Sequence, residues 1–314
     1  MLISIIIPCY NAERTIAATI DSALAQEVET EVIVINDGST DGSRGVITSY
    51  GSRVRAEHGP NRGVSAARDR GSALAQGAFL QFVDSDDQLA PGTLLRRVEA
   101  LRAAGADAAY TDYQKLIETP EHSFVSGEVV VPPAELLNQD AEAACADSRF
   151  WVPPVAIMYR REIVDRIGGW KTNLPVIQDA RFLFDAAAQG GKFVHASGIG
   201  AYYRVSSASL SRQNRAKFLH DCFVNAEEIE RRWRGLGLTP ARAAALQSMW
   251  RHTAIAALID GLPEFEPARR SYNVAARREW PIEAGWLLRR ALGARMAGVI
   301  ARSRLQRHAP AAHR

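Results

Sequence analysis

The chain has 314 residues, of which 47% are hydrophobic and 23% are charged, as in ordinary globular proteins. Its net charge of +3 is too small to predict nucleic-acid binding. No apolar run approaches the roughly 20 residues that cross a bilayer. The N-terminal segment lacks the basic region of a signal peptide. Cys9, Cys145 and Cys222 are widely spaced without a CxxC pattern, so we expect reduced thiols and a cytoplasmic protein.

Predicted strands and helices alternate over the first hundred residues. Four segments have the composition of buried strands: Leu2–Ile7, Glu31–Ile35, a short strand near Val54, and Phe79–Val83. Helical spacing runs over Glu13–Ala25, and the loop that starts at Asn61 leads into a helix that ends at Ala75. This alternation predicts an α/β fold with a mostly parallel, doubly wound sheet. Ligands bind at the carboxyl ends of strands in such sheets.

The alternation continues to about residue 211, and the pattern beyond it is helical and rich in Arg and Ala. Helices are predicted at Pro91–Ala104, Arg161–Ile167 and Gln178–Gln189, and strands at Ala108–Asp112, Val155–Tyr159 and within Lys192–Arg204. Residues 118–150 have an irregular pattern. This change in sequence pattern predicts a domain over residues 1–211 and a helical region over residues 212–314.

Three carboxylates, Asp84, Asp86 and Asp87, follow the Phe79–Val83 strand directly. In an extended chain, Asp84 and Asp86 would point to the same side. Two carboxylates held so close repel each other unless a cation lies nearby. Mg²⁺ and Mn²⁺ suit such a pair, because they prefer one or two carboxylates plus phosphate oxygens. A solvated acidic turn is also compatible with this segment alone.

Four motifs, in this order and spacing, resemble those of the family 2 glycosyltransferases. They are IIIPCYN at residues 5–11, VIVINDGS at 32–39, NRGVSAAR at 61–68 and FVDSDD at 82–87. The likeness is strong over residues 3–100, fair from 150 to 211, and absent from 212 onward. It implies the GT-A fold and an inverting, metal-dependent transfer of sugar from a nucleotide-sugar donor. Residues 1–100 would form the nucleotide-sugar half, and 101–211 the acceptor half.

The resemblance assigns the base-binding residues by position. Pro8 and Tyr10 match positions that flank the nucleotide base, and Asp37 matches an aspartate that hydrogen-bonds it. A carboxylate can accept the N3–H of uracil or thymine, so the donor would carry UDP or dTDP. Arg68 matches an arginine near the base and diphosphate, although a surface helix cation is an alternative. Glu13 matches a frequent family glutamate and would equally suit the first turn of a helix.

The resemblance also assigns the metal site. Asp84, Ser85 and Asp86 match the DXD signature, with Asp84 and Ser85 toward the donor. Asp86, together with Asp84, would hold the divalent metal, Mn²⁺ or Mg²⁺. Asp87 would stabilise its own turn.

The second half of the likeness supplies a candidate general base. The segment from Gly168 to Phe184 resembles the family's turn and Glu-Asp helix, with Gln178 in place of the usual glutamate. Asp179 is therefore the one acid at the expected place. At a helix N-terminus its pKa would be lowered. The alternative is a helix-capping aspartate, worth about 1 kcal/mol to stability.

Three further residues are candidates for the acceptor side. Trp151 and Trp170 have faces that suit sugar rings, and Arg204 lies near the end of the resemblance. Both tryptophans are equally compatible with a packed core. Ser206 stands where family members often carry a histidine, which leaves the detail of the metal shell open.

Two other classes of function stay open at this stage. A nucleotidyltransferase would also use strand-end carboxylates and a metal, but the chain has no glycine- and lysine-rich phosphate loop. Gln178 and Ser206 make a non-catalytic sugar-nucleotide-binding protein conceivable. The favoured function is sugar transfer to a glycan or glycolipid acceptor, in the assembly of surface polysaccharide.

The C-terminal segment Trp286–Arg307 is predicted to be a basic amphipathic helix. Seven arginines and no acidic residue follow Glu283. Such a helix suits the anionic inner face of a membrane, where a lipid-linked acceptor is presented. Packing on the catalytic domain, or on a second subunit of a homo-oligomer, is the alternative.

Overall fold

The computed structural model describes residues 1–121, 123–146, 150–206 and 213–275, together with the single positions 289, 294 and 298. These residues divide into two compact units. The first contains the described residues up to Cys145 and from 150 to 206, and the second contains Ala146 and the described residues from 213 onward. All of the predicted site residues belong to the first unit. The division of that unit into nucleotide-sugar and acceptor halves remains a prediction.

Four strands of the first unit are parallel to one another. They are β1 (Ile3–Cys9), β2 (Thr30–Asp37), β3 (Arg55–Gly59) and β4 (Phe79–Phe82). β1 lies between β2 and β4, with Ile6 opposite Ile33 on one side and Phe82 on the other. Every residue of β1 is buried, as expected for a strand inside a parallel sheet. The predicted α/β fold is confirmed, and the carboxyl ends of β1, β2 and β4 meet at one edge.

Five further strands complete a nine-stranded sheet in the order β3-β2-β1-β4-β8-β6-β9-β5, with β7 paired to β6. They are β5 (Gln88–Leu89), β6 (Ala108–Glu118), β7 (Phe124–Val130), β8 (Ile157–Arg160) and β9 (Phe193–Val205). β6 and β9 are parallel, whereas β8 is antiparallel to both β4 and β6. The prediction that residues 118–150 are irregular is wrong, because β7 pairs with β6 in an antiparallel ribbon.

Among the described residues, seven α-helices lie between these strands. They are α1 (Ile16–Leu24), α2 (Ser43–Ser49), α3 (Val64–Leu74), α4 (Thr93–Ala104), α5 (Ala141–Ala146), α6 (Arg161–Ile167) and α7 (Gln178–Ala188). α1 begins three residues after the predicted start at Glu13. The carboxylate of Glu13 accepts the backbone N–H of Gly42 at 3.0 Å instead of lying in a helical first turn.

Arg97 of α4 ties three strands together from inside the core. Its side chain is fully buried. Nη1 donates to Oε1 of Gln81 on β4 at 2.5 Å, and Nη2 donates to Oγ1 of Thr111 on β6 at 2.8 Å. Nη2 also lies 3.3 Å from the carbonyl oxygen of Gly200 on β9. Burial and the nearby charge of Arg96 lower the pKa of Arg97 to about 9, so the guanidinium remains charged at neutral pH.

The second unit is helical over its described residues. It contains α8 (Arg215–Leu236), α9 (Pro240–Ile259) and α10 (Phe265–Ala275). Asn214 and Thr239 cap α8 and α9 through their side-chain oxygens. Between α8 and α9, the indole N–H of Trp250 donates to Glu230 at 2.8 Å. Among the described residues, none of the helices has the length and apolar character that crossing a membrane requires. The helix predicted at Trp286–Arg307 lies outside the described residues, apart from single positions.

Candidate active site

The loops after β1 and β2 are joined by hydrogen bonds. Asn11 accepts the backbone N–H of Thr40 on Oδ1 at 2.8 Å, and its own N–H donates to Ser39 Oγ at 3.0 Å. Asn11 has a φ of 50°, in the left-handed region that asparagine tolerates better than most residues. Together with the hydrogen bond from Gly42 to Glu13, these contacts fix the ends of β1 and β2 relative to each other.

The two β1 residues predicted to flank the base have different surroundings. Pro8 is buried within the strand, and Tyr10, directly after it, is 50% exposed. An exposed aromatic ring at a strand end is available for stacking on a planar base. Base contacts of Pro8 and Tyr10 remain predictions.

Asp37, at the end of β2, is buried and holds the loop that precedes α3. Its Oδ1 accepts the backbone N–H of Arg62 and its Oδ2 that of Gly63, both at 2.8 Å. An ionised carboxylate has about four lone-pair sites, so each oxygen keeps capacity for a further donor. The predicted contact with the base remains a prediction, to which the structure adds a role in positioning this loop.

The acidic segment after β4 forms a turn. The backbone N–H of Asp87 donates to the carbonyl oxygen of Asp84 at 2.9 Å. The expectation of an extended chain here is therefore wrong, because the backbone folds back after the strand. That Asp84 and Asp86 point to the same side remains a prediction.

The tip of this turn is anchored to the start of α1. The hydroxyl groups of Thr15 and Thr19 donate to the carbonyl oxygen of Ser85 at 2.9 and 3.0 Å. The backbone at Ser85 is thereby fixed, while its predicted donor contact remains a prediction.

Asp84 is paired with Arg68 of α3, whose Nη2 donates to Oδ1 of Asp84. The Arg68 side chain is 1% exposed and that of Asp84 is 30% exposed. The alternative interpretation of Arg68 as a surface cation is therefore wrong. The predicted contact of Arg68 with the base and diphosphate remains a prediction.

Asp86 and Asp87 are harder to ionise than ordinary aspartates. Burial, followed by the charge of Asp84, raises the pKa of Asp86 to about 6. Burial and the two neighbouring carboxylates also raise the pKa of Asp87. Oδ1 of Asp87 accepts the backbone N–H of Arg204 at 2.8 Å. Asp87 thus joins the acidic turn to β9, a link beyond its own turn that the sequence did not suggest.

Asp84 and Asp86 fit a divalent cation. The repulsion that contributes to the raised pKa of Asp86 would be relieved by a positive charge beside both groups. In the part of the chain that the structure describes, no group of three or more His, Cys, Asp or Glu side chains could hold an ion. Mg²⁺ and Mn²⁺ need only one or two carboxylates where phosphate oxygens complete the shell. The pair therefore suits an ion that arrives with a diphosphate.

Asp179 lies in the first turn of α7, close enough to the acidic turn for the charges of Arg68 and Asp84 to act on it. Burial raises the pKa of Asp179 and outweighs the bonds and the Arg68 charge that favour its ionised form. The prediction of a lowered pKa is therefore wrong. Asp179 is not the N-cap residue, because Ile177 occupies that position, but its carboxylate has a backbone hydrogen bond at Ala180 within the first turn.

The ring of Trp151 lies beside Asp179 and packs against two tyrosines. The indole Nε1 of Trp151 donates to Oδ2 of Asp179 at 3.3 Å. The ring of Trp151 makes edge contacts with Tyr113 and Tyr203, at centroid distances of 6.2 and 5.5 Å. The position of Trp151 near Asp179 agrees with the predicted acceptor side, and its contact with an acceptor remains a prediction.

Trp170 and Arg204 are packed into the protein. Trp170 is 6% exposed and stacks on Phe182 at a centroid distance of 4.0 Å. Arg204 is 9% exposed, and its Cζ lies 4.7 Å from the ring centroid of Phe124 on β7. Acceptor contacts of these two residues remain predictions, whereas their packing contacts are clear.

Several proteins of known sequence are similar to this chain. It is 31% identical over 193 residues to EpsJ, an uncharacterized glycosyltransferase of Bacillus subtilis, covering 59% of this chain and 54% of EpsJ. It is 30% identical over 235 residues to the succinoglycan biosynthesis protein ExoO of Rhizobium meliloti, covering 72% and 67%. The third relative is WfaP of Escherichia coli, a UDP-Glc:alpha-D-GlcNAc-diphosphoundecaprenol beta-1,3-glucosyltransferase. It is 28% identical over 215 residues, covering 67% of this chain and 80% of WfaP. The chain thus spans about half the length of EpsJ and about two thirds of ExoO.

Solved structures share the fold at low identity. S. aureus TarS 1-349 in complex with UDP-GlcNAc has a TM-score of 0.61 and 18% identity, with 91% of each chain covered. The mannosyltransferase PcManGT of Pyrobaculum calidifontis, in complex with GDP-Man and Mn²⁺, has a TM-score of 0.56 and 17% identity, covering 95% of this chain and 85% of PcManGT. The predicted GT-A fold is confirmed by this likeness.

The family itself is shown by a match over more than half of the chain. The model of glycosyl transferase family 2 matches residues 4–168, a range that contains the β1, β2 and β4 strand ends with Tyr10, Asp37 and the acidic turn. The chain belongs to glycosyl transferase family 2.

Proposed function

We propose that this protein is an inverting glycosyltransferase that moves a sugar from a uridine or thymidine diphosphate donor to an acceptor hydroxyl group. The observation that carries the proposal is the proximity of Asp179 to the acidic turn. Trp151, which donates to Asp179, packs on Tyr203 of β9 at a centroid distance of 5.5 Å, and the next residue, Arg204, donates its backbone N–H to Asp87 of the acidic turn at 2.8 Å. This proximity supports placing the proposed base and the carboxylates proposed to face a diphosphate in one site.

The reaction is a single displacement at the anomeric carbon. The acceptor oxygen forms a bond to that carbon while the bond from carbon to the diphosphate oxygen breaks, and its electron pair leaves with the diphosphate. Asp179 takes the proton of the acceptor hydroxyl group on the opposite side of the sugar. Its raised pKa makes it a stronger base than an exposed aspartate.

The donor site combines the three strand ends. Asp37 would accept the N3–H of uracil or thymine, and the exposed ring of Tyr10 would lie against the base. Asp86, with Asp84, would hold Mn²⁺ or Mg²⁺, which when bound offsets the negative charge of the leaving diphosphate. The Mn²⁺ in the PcManGT complex supports a metal of this kind.

The acceptor that we propose is a glycan or glycolipid in polysaccharide assembly. The names of ExoO and WfaP, which refer to succinoglycan biosynthesis and to a lipid-linked acceptor, support this class. A nucleotidyltransferase is disfavoured, since family membership and the lack of a phosphate loop in the sequence both oppose it. A binding protein without activity is distinguished by the experiments below.

The donor and metal can be tested together by thermal shift. UDP-glucose, UDP-N-acetylglucosamine, dTDP-glucose and GDP-mannose are compared, each with and without Mn²⁺. We expect the uridine or thymidine compounds to raise the melting temperature in the presence of Mn²⁺, and Asp86→Ala to remove this effect without lowering the melting temperature of the free protein. Equal stabilisation by GDP-mannose, or Mn²⁺-dependent stabilisation of the variant, would contradict the proposal.

The base is tested with Asp179→Asn. We expect turnover, followed as release of free nucleoside diphosphate with and without an acceptor, to fall about a hundredfold or more while donor binding is kept. Because burial disfavours the ionised carboxylate, the variant should melt no earlier than the wild type at neutral pH. Turnover retained per folded molecule would show that another group is the base.

A further inference from the structure

Trp151 contacts the proposed base through a group that can only donate a hydrogen bond. Its indole Nε1 lies 3.3 Å from Oδ2 of Asp179. An indole N–H has no acceptor capacity, so it cannot reverse its role when the carboxyl group gains or loses a proton. The contact therefore favours one arrangement of the carboxylate, with Oδ2 directed at the indole.

The indole is itself held from two neighbouring strands. Tyr113 of β6 and Tyr203 of β9 contact the Trp151 ring edge to face, and their own centroids are 6.0 Å apart. β6 and β9 are paired in parallel, with Tyr113 opposite Ala201. Because both tyrosines stand on the sheet, the direction of the indole N–H is set before any substrate binds.

We propose that Trp151 is a positioning residue that holds Asp179 through Oδ2 and leaves Oδ1 to receive the proton of the acceptor hydroxyl group. This inference rests on the proposed function, in which Asp179 is the base. The charged and titratable groups that act on or near Asp179 are Arg68 of α3, Asp84 of the acidic turn, Tyr159 of β8 and Tyr203 of β9. Trp151 adds a neutral hydrogen-bond donor to this set. It therefore fixes the orientation of the Asp179 carboxylate without adding charge.

The contact itself is tested without substrate by ¹H–¹⁵N NMR of the full chain. The six tryptophans give a small set of indole N–H signals, and the signal of Trp151 is the one lost in Trp151→Phe. We expect this signal to move during a pH titration of the wild type and to stay fixed in Asp179→Asn. A Trp151 signal that is unaffected by the state of residue 179 would overturn the proposal, whatever the activity of the protein.

The consequence for turnover is tested with the same variant. Trp151→Phe keeps an aromatic ring against Tyr113 and Tyr203 and removes the N–H. In release of UDP from UDP-glucose or UDP-N-acetylglucosamine with Mn²⁺, we expect kcat to fall about tenfold with the donor KM within about twofold. The acidic limb of the kcat profile should move to higher pH, since a donor that favoured the ionised carboxylate is lost. Trp250→Phe is the matched control, because it also removes an indole–carboxylate bond, in the helical unit, and should change neither quantity.

A double variant separates this inference from the proposed function. Trp151→Phe should have almost no further effect on turnover in the Asp179→Asn background, because the group that it positions is gone. If Asp179→Asn keeps its turnover, the proposed base is wrong. If Asp179→Asn loses turnover but Trp151→Phe lowers turnover equally in both backgrounds, Trp151 acts independently of Asp179 and the positioning role is wrong.

Discussion

The guanidinium of Arg68 lies over the ring of Trp170, with its Cζ 4.2 Å from the ring centroid. The same helix makes two further bonds to this turn: Asp69 accepts the backbone N–H of Trp170 at 2.9 Å, and Ser65 donates to the carbonyl oxygen of Lys171 at 3.1 Å. Since Arg68 also binds Asp84, helix α3 connects the acidic turn to the segment that leads into α7 and Asp179. One helix therefore contacts both the acidic turn and the segment that precedes the proposed base.

Arg68→Met should destabilise the protein by about 1–3 kcal/mol. The substitution leaves Asp84 without its cation and removes the stack on Trp170, while the 30% exposure of Asp84 lets water recover part of the loss. Arg70→Met on the same helix is the control, because the Arg70 side chain is 57% exposed, whereas that of Arg68 is 1% exposed, and its bond to Glu57 is worth about 0–1 kcal/mol. Urea unfolding measures the free energy of unfolding of both variants. Equal decreases would show that the buried contacts of Arg68 contribute no more than the exposed pair of Arg70.

Asp37→Asn should weaken both folding and donor binding. Asparagine has a single acceptor oxygen, so its amide group would face one of the N–H donors of Arg62 and Gly63, at a cost of about 1–3 kcal/mol. Urea unfolding and calorimetric titration of UDP with Mn²⁺ measure the two effects. A variant that loses UDP binding at unchanged stability would show that Asp37 acts on the ligand alone.

Turnover should decline with acid at a higher pH than an ordinary aspartate would cause. Burial raises the pKa of Asp179, so its ionised form is lost as the pH falls through this raised value. The rate of UDP release from pH about 4 to 8 measures the decline, with circular dichroism to confirm that the chain stays folded. With Mn²⁺ at saturation, so that Asp86 stays ionised, the residual rate of Asp179→Asn should lack this limb. A wild-type rate that is flat down to the ordinary aspartate pKa of about 4 would contradict the assignment.

Two glycine substitutions should have opposite effects. A Cβ at Gly71 of α3 would collide with Cγ2 of Ile6, which is fully buried in β1, so Gly71→Ala should cost about 1–3 kcal/mol. A Cβ at Gly45 of α2 would meet open space, so Gly45→Ala should stabilise by about 0.5–1 kcal/mol. Thermal unfolding of the two variants measures the signs. If both variants were destabilised, the collision between residue 71 of α3 and Ile6 of β1 would not explain the effect of Gly71→Ala.

The sequence predicts the carboxyl ends of β1, β2 and β4 well, because its signals are local. Buried strands give continuous apolar runs, and polar residues mark the points where β1, β2 and β4 end. β7 was not predicted from the sequence. All of its residues are exposed or half-buried, and Gly127 lies at its centre. A strand without a buried face has no alternation of apolar and polar residues to detect.

The contacts that define the site could not be predicted in the same way. Arg68 and Trp170 are 102 positions apart, and Trp151 and Asp179 are 28 apart, so only the folded sheet brings each pair together. The pKa of Asp179 was predicted with the wrong sign because a helix terminus is visible in sequence, whereas burial under distant side chains is not. The family motifs identified the candidate residues by their positions in the sequence. Their burial, their contacts and the pKa of Asp179 depend on the tertiary structure.

The buried guanidinium of Arg97 has a consequence for how this protein can evolve. Its partners on β4 and β6, Gln81 and Thr111, are polar groups inside the core that are satisfied through Arg97. An apolar residue at 97 would leave both without this donor, and an apolar residue at 81 would remove one acceptor from a buried cation. We therefore expect these three positions to change together or not at all among descendants of this chain, so that polar and apolar versions of the core are separated by variants that fold poorly.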